Sequence, residues 1–302
     1  MSDPLSDMIQ LLRPQVVVPK GITGAGAWAV RYSAFGHPGF CAVTEGHCRL
    51  AVEGEAPVVL EQGDFVLLPA TPAFEMSGFV PAPPQRIDPR LAPPPDREVR
   101  YGRQDGPPDL RQIGGWFTFG SPDAALLVTL LPRMIHVRGA PRLAQLVALL
   151  GEEAARAEIG RELILARLVE ILLIEALRAA PAPGAAPGLL RGLADPRIAA
   201  ALRALHADLE RPWTVVDLAG KAGMSRSAFF ERFTRSLGLR PMEYALAWRM
   251  AVAKDLLRGG RLTLDEVAGR IGYGSASTFS TAFSRHVGQP PGRFMRHAAA
   301  AA

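Results

Sequence analysis

Residues 214–233 read TVVDLAGKAGMSRSAFFERF, and residues 263–283 read TLDEVAGRIGYGSASTFSTAF. The second stretch is the first again. Thr214, Asp217, Ala219 and Gly223 recur 49 positions later as Thr263, Glu266, Ala268 and Gly272. Ser225, Phe229, Phe233, Gly238 and Pro241 recur 50 positions later as Ser275, Phe279, Phe283, Gly288 and Pro291, and Tyr244 matches Phe294. The offset changes in the turn, where Met224 stands against Tyr273-Gly274. Each copy encodes two helices and a tight turn. Thr263-Leu-Asp-Glu266 is a capping box, and Thr214-Val-Val-Asp217 is a weaker form of it. Gly223 and Gly272 end the first helix, where a left-handed residue needs no Cβ. Ser225 and Ser275 then cap the second helix by accepting backbone N–H bonds. Phe229 with Phe233, and Phe279 with Phe283, pin that helix inward at a spacing of four. The product is a helix-turn-helix, made twice.

Between the copies, residues 241–258 carry apolar side chains at Tyr244, Leu246, Trp248, Met250, Ala253 and Leu257. A single continuous helix there would hold the two units at fixed separation. A spacer of roughly 18 residues spans about 27 Å at the helical rise. Two reading helices on one face of a duplex must stand about 34 Å apart, so the scale fits DNA. A solenoid of helical pairs generally needs at least about three repeats, which disfavours mere packing.

Outward from this region, 302 residues argue for about two domains. Residues 189–302 hold 17 Lys+Arg against 9 Asp+Glu, whereas residues 1–188 hold 17 against 20. A basic end on a mildly acidic remainder suggests a polyanion-binding domain joined to something else; the alternative is a solvated basic face. Two cysteines cannot build a disulfide scaffold. The acidic amino terminus lacks a signal-peptide pattern. The most apolar run, residues 163–177, is interrupted by Arg167, Glu170 and Glu175, which excludes a membrane span. Residues 180–188, APAPGAAPG, read as a linker, and the Pro-rich residues 81–95 as a long loop within the first domain.

Residues 223–233 (GMSRSAFFERF) resemble the first helix-turn-helix of AraC/XylS-type transcription regulators, and residues 271–294 (IGYGSASTFSTAFSRHVGQPPGRF) resemble that family's signature region. The likeness covers about 100 residues and both units. It implies a bacterial, cytoplasmic, sequence-specific DNA-binding protein, an activator rather than a repressor, working with RNA polymerase. It places the second helix of each unit in adjacent major grooves. Besides the caps Ser225 and Ser275, the first would present Arg226, Ser227, Phe230 and Glu231, and the second Ala276, Ser277, Thr278 and Thr281. Arg226 suits guanine or a phosphate, Glu231 cytosine N4, and Phe230 or Ala276 a thymine methyl. Phe230, next to Phe229, is equally readable as core. Arg232, Arg235, Arg285 and Arg293 are placed for phosphates.

The amino-terminal part reads as short strands, at residues 28–32, 40–43, 48–52, 57–60, 64–68, 115–119 and 125–131, separated by Gly- or Pro-containing turns. This pattern suggests a sandwich or barrel. Residues 39–50 and 63–69 resemble the cupin-type ligand domain found on a subset of these regulators. Catalytic cupins hold a metal through His and carboxylate. Here Cys41 and Phe74 stand where His is usual, and His37, His47 and Glu75 form no recognised ligand set, so no metal, cofactor or catalytic residue is expected. Cys41 and Cys48 invite a redox-sensor reading if Glu45-Gly46 turns a hairpin; the alternative is two inert core thiols. From Arg142 the period turns helical, and two amphipathic Leu-rich helices are expected to cap the barrel, to dimerise the chain, or both.

The expectation is therefore an α+β protein: a cupin-like sensor domain at 15–140, a helical dimerisation or linker segment at 141–180, and a double helix-turn-helix domain at 195–297. It would be a homodimeric transcription regulator answering a small-molecule or redox signal. A cupin-fold oxidoreductase with an accessory DNA-binding domain is the alternative, and a constitutive architectural DNA binder the third reading.

Overall fold

A computed structural model describes residues 3–91, 98–121, 124–156, 158–180 and 187–300. The chain divides into two compact units. One comprises Arg13–Gly120 and Leu131–Pro181; the other gathers Met1–Leu12, Ser121–Leu130 and Ala182–Ala302.

Among the described residues the β-unit is a curled sheet of ten strands: β1 (Pro14–Ala25), β2 (Ala29–Tyr32), β3 (Gly39–Val52), β4 (Val58–Glu61), β5 (Phe65–Leu68), β6 (Phe74–Ser77), β7 (Gln85–Ile87), β8 (Val99–Gly102), β9 (Leu110–Phe119) and β10 (Ile135–Val137). The long β3 closes the curl. Its first half pairs with β5 and β9, and its second half with β4 and β6. In that second half buried Cys48, Leu50 and Val52 alternate with exposed His47, Arg49 and Ala51, the period of a half-buried strand. The helices α3 (Pro141–Ala155) and α4 (Arg161–Ala179) pack on each other and on β1.

The expected hairpin at Glu45-Gly46 does not form. Gly46 does take a positive φ of 74°, but it bends one continuous strand beside an irregularity between Val43 and Glu45. A Cβ on Gly46 would lie 1.8 Å from the Asp109 carbonyl oxygen, so glycine is needed for close approach of β9. Five strands escape the sequence reading altogether: β1, β6, β7, β8 and β10, of which β7 lies in the stretch expected as a Pro-rich loop. In β1, Pro14, Pro19, Gly21 and Gly24 mask a strand that pairs with β9 along most of its length.

The helical unit contains α1 (Pro4–Leu12), α2 (Ala124–Thr129), α5 (Leu189–Ala194), α6 (Pro196–Ala207), α7 (Val215–Lys221), α8 (Arg226–Leu237), α9 (Pro241–Gly259), α10 (Leu264–Arg270), α11 (Ala276–Val287) and α12 (Pro291–Ala300). Residues 125–131, expected as a strand, fall largely in α2, because the chain there joins the helical unit and packs against α1. Within the expected linker, residues 181–186 lie outside the described residues. Among the described residues no helix is long and apolar enough to cross a membrane.

Gly46→Ala would place a side chain at positive φ and against backbone. We expect it to destabilise the β-unit by more than about 2 kcal/mol, read by chemical denaturation.

Candidate nucleic-acid interface

Each helix-turn-helix is locked by the residues that repeat. The Thr214 hydroxyl accepts from the Asp217 amide, while the Asp217 carboxylate accepts from the Thr214 amide; Thr263 and Glu266 do the same. Ser225 accepts from the Ala228 amide, and Ser275 from the Thr278 amide, capping α8 and α11. Gly223 and Gly272 turn at φ 60° and 79°. The second unit has one further tie: Asp265 in α10 accepts from the first amide of α11, Ala276, at 3.1 Å. Phe229, Phe233, Phe279 and Phe283 are buried completely or nearly so. Each such ring contributes roughly 1.5–3 kcal/mol on burial.

The helix α9 is continuous over 19 residues, about 28 Å. Glu243 accepts from the Arg240 amide at its start, and Gly260 closes it at φ 64°. Its two halves serve different units. Tyr244 meets Phe233 edge-on at 5.9 Å, whereas Met250, Ala253 and Leu257 join the core of Val267, Ile271, Phe279, Phe283 and Phe294. Arg249, which sequence reading did not single out, lies at the join. Its guanidinium donates to the carbonyls of Leu209 and Arg211 in the loop before α7. A Cβ on Gly272 would lie 2.7 Å from the Leu209 and Glu210 oxygens and 3.0 Å from Arg249 Nη2. The turn of the second unit thus abuts the loop that leads into the first.

The amino-terminal α1 belongs to this unit. Met8 and Leu12 are fully buried, and the helix touches α6 and α9. The buried His206 Nδ1 sits 3.0 Å from the Asp7 carboxylate, its Nε2 sits 2.8 Å from the Tyr244 hydroxyl, and the ring stacks on Trp248. Burial lowers the His206 pKa below the ordinary histidine range and outweighs the opposing pull of Asp7. The neutral ring then donates to Asp7 and accepts from Tyr244, satisfying both nitrogens.

With Phe229 and Phe233 inward, α8 turns Arg226, Ser227, Phe230, Glu231, Arg232 and Arg235 to solvent. Phe230 is 39% exposed, which decides between its two readings: it is not core. On α11, Ser277, Thr278, Thr281 and Arg285 are exposed and Ala276 is half-buried; Arg293 is exposed on α12. Among the described residues, Arg226, Arg235, Arg285 and Arg293 have no carboxylate partner. Arg232 departs from the expectation of a free phosphate-binding cation, because its guanidinium is held by Asp195, the cap of α6. Burial pushes the Asp195 carboxyl up, but hydrogen bonds from Arg232 and the Arg197 and Ile198 amides outweigh it and bring it below the usual range. Ser277 and Ser280 carbonyls accept from Thr281 and Ser284 hydroxyls, so part of the hydroxyl surface of α11 is internally satisfied.

In the β-unit, Phe74 stacks on Tyr32 at 4.7 Å and His37 stacks on Trp116 at 5.9 Å. His47 meets Phe79 edge-on, and Glu75 lies on β6. Phe74, which stands where catalytic cupins commonly carry histidine, is thus part of an aromatic stack, and the rings of His37 and His47 also make aromatic contacts. Cys41 and Cys48 lie on one strand, unbridged. Burial pushes the Cys41 thiol up to about 12 and the Cys48 thiol up as well, so thiolate is scarce at neutral pH.

A family model described as a cupin matches residues 3–182, and one described as a helix-turn-helix domain matches residues 218–297. Proteins described as AraC-like transcription regulators are 37% identical in Streptomyces lividans and 35% identical in Streptomyces antibioticus. The first alignment covers 98% of each chain, and the second 98% of this chain and 99% of the relative. The DNA-binding domain of the global transcriptional factor AdpA, solved with a target DNA, is 31% identical over 34% of this chain and 92% of that one, at a TM-score of 0.32. Two units, a cupin-like curled sheet and a duplicated helix-turn-helix, define a DNA-binding transcription regulator. The chain belongs to the AraC family.

Because the His206 pKa is lowered on folding, its contribution to stability is present above the free-imidazole value of about 6.5 and is lost as pH falls below it toward the folded value. We expect the helical unit's unfolding midpoint to drop on acidification through that window. His206→Gln should flatten this part of the profile, measured by circular dichroism melts across pH.

Proposed function

We propose that the chain is a cytoplasmic, homodimeric transcription activator without enzymatic activity. In this reading α8 and α11 enter successive major grooves, with Ser225, Arg226, Ser227, Phe230, Glu231, Ser275, Ala276, Ser277, Thr278 and Thr281 toward the bases. Arg235, Arg285 and Arg293 hold phosphates, and Arg232 joins them only by exchanging its bond to Asp195 for a phosphate oxygen. RNA polymerase is the partner. The observation that carries the reading is the solvent face of α8, where unpaired Arg226 stands beside exposed Phe230 and Glu231. Such a cluster offers a guanine donor, a methyl contact and a cytosine acceptor within two turns.

Domains at 15–140, 141–180 and 195–297 would divide sensing, dimerisation and DNA binding. A small molecule bound to the β-unit would shift the population of DNA-competent states. For dimerisation, the supporting feature is α4. Its Leu165, Val169, Leu172 and Leu173 are buried, yet Leu163, Ile164 and Ile171 on the same helix are exposed. An apolar strip of this kind is covered by a second copy in a twofold dimer.

Arg226→Ala should weaken binding to the selected operator by about 1–3 kcal/mol and random DNA much less, in fluorescence anisotropy titrations. Equal loss on both would contradict its role as a base reader. Light scattering should give twice the 32.4 kDa chain mass, and Ile164→Asp with Ile171→Asp should return the chain to that mass. A wild-type monomer at all concentrations would contradict the dimer.

A further inference from the structure

The β-unit lines a half-open cavity of about 80 Å³ between β1, β9, β3 and β6. Its walls include the rings of Tyr32, Phe40, Phe74 and Trp116; of the polar side chains that line it, Thr71 is engaged with the Leu68 carbonyl, whereas Lys20 and Gln112 are not so engaged. Sheet register explains the pairing. Lys20 stands opposite Gly114, and Ile22 opposite Gln112, in the antiparallel β1–β9 ladder. Lys20 and Gln112 are therefore diagonal neighbours on one face, about 7–8 Å apart at the backbone. Gly114 lines the cavity beside them, with Ile22 Cδ1 packed 3.3 Å from where a Cβ would stand.

Both polar groups are unmatched. Gln112 is 3% exposed, its Nε2 reaches only the Met76 sulfur at 3.6 Å, and its Oε1 has no hydrogen-bond partner. Buried acceptors are nearly always satisfied, so an orphan aimed at a cavity asks for a donor from a ligand. The neighbouring Tyr32 hydroxyl is paired with the Tyr101 hydroxyl at 2.9 Å and makes no hydrogen bond to Gln112. Lys20 has the Tyr32 ring face at 5.8 Å and, among the described residues, no carboxylate. Burial lowers its pKa, which a bound anion would oppose.

We propose that this cavity takes a small aromatic carboxylate bearing a hydroxyl or amino group, its ring among the aromatic walls, its carboxylate on Lys20 and its O–H or N–H donating to Gln112 Oε1. The proposal rests on the reading that the β-unit senses a small molecule. It supplies that molecule's chemical class and the two side chains that select it. The aromatic walls favour a flat ring over a flexible chain, and the small volume favours a single ring.

Calorimetric titration of the full chain with 3-hydroxyphenylacetate, phenylacetate and 3-ethylphenol tests it, since the last two lack the donor and the carboxylate respectively. The first should bind at least about tenfold more tightly than either, the worth of one such hydrogen bond or ion pair. Gln112→Leu should erase the preference over phenylacetate while melting no lower than wild type, because it removes an orphaned buried polar atom. Lys20→Met should erase the preference over 3-ethylphenol. Equal binding of the three compounds, no binding of any at millimolar concentration, or discrimination retained in both variants would overturn the proposal. Discriminating binding without any change in DNA affinity would uphold the site and contradict the sensor reading. A DNA response to some other compound that persists in both variants would uphold the sensor and overturn this site.

Discussion

The stiffness of α9 is the constraint on which the DNA-binding unit depends. Two reading helices joined by a flexible chain would help each other only through effective concentration. Joined by a 19-residue helix whose halves are buried in separate cores, they become one rigid body. Arg249 and Gly272 complete the constraint, the first by hydrogen bonds to the loop before α7 and the second by admitting that loop at a distance no side chain allows. The duplication that made the two units would leave their relative rotation free; these contacts remove that freedom.

The two units are alike in frame and unlike in chemistry. Caps, turns and paired phenylalanines repeat, whereas the exposed faces diverge. On α8 an arginine, a glutamate and a phenylalanine stand in solvent; on α11 the corresponding surface is serine, threonine and alanine, with the Thr281 hydroxyl already donating to Ser277. Hydroxyls of this kind accept and donate with little preference among bases. In the proposed reading, that difference concentrates sequence discrimination in the first unit and leaves backbone and shape contacts to the second.

The helical unit was legible in the sequence because its determinants are local. Capping boxes, a glycine at positive φ and phenylalanines four apart act within one or two turns, so they survive reading without coordinates. The β-unit was less legible because its determinants are distant. Gly46 has the composition of a hairpin turn, and only the Asp109 carbonyl across the sheet shows that it bends a through-going strand. Prolines and glycines hid β1, whose extended form comes from pairing with β9 nearly a hundred residues away. Gln112 and Lys20 could be set on one face only once that register was known. Nor could periodicity show that α1, at the far end of the chain, belongs with the DNA-binding unit; the Asp7–His206 contact spans 199 positions.

The rigidity of the paired reading heads is tested most directly by selecting bound sequences from random duplex DNA with the full chain and reading the spacing between the two enriched blocks. The account requires one dominant centre-to-centre spacing, near a single helical turn of about 10–10.5 base pairs. Blocks recovered at many spacings with equal enrichment would contradict it, because they would mean that α9 and the Arg249 contact do not hold the two units in register.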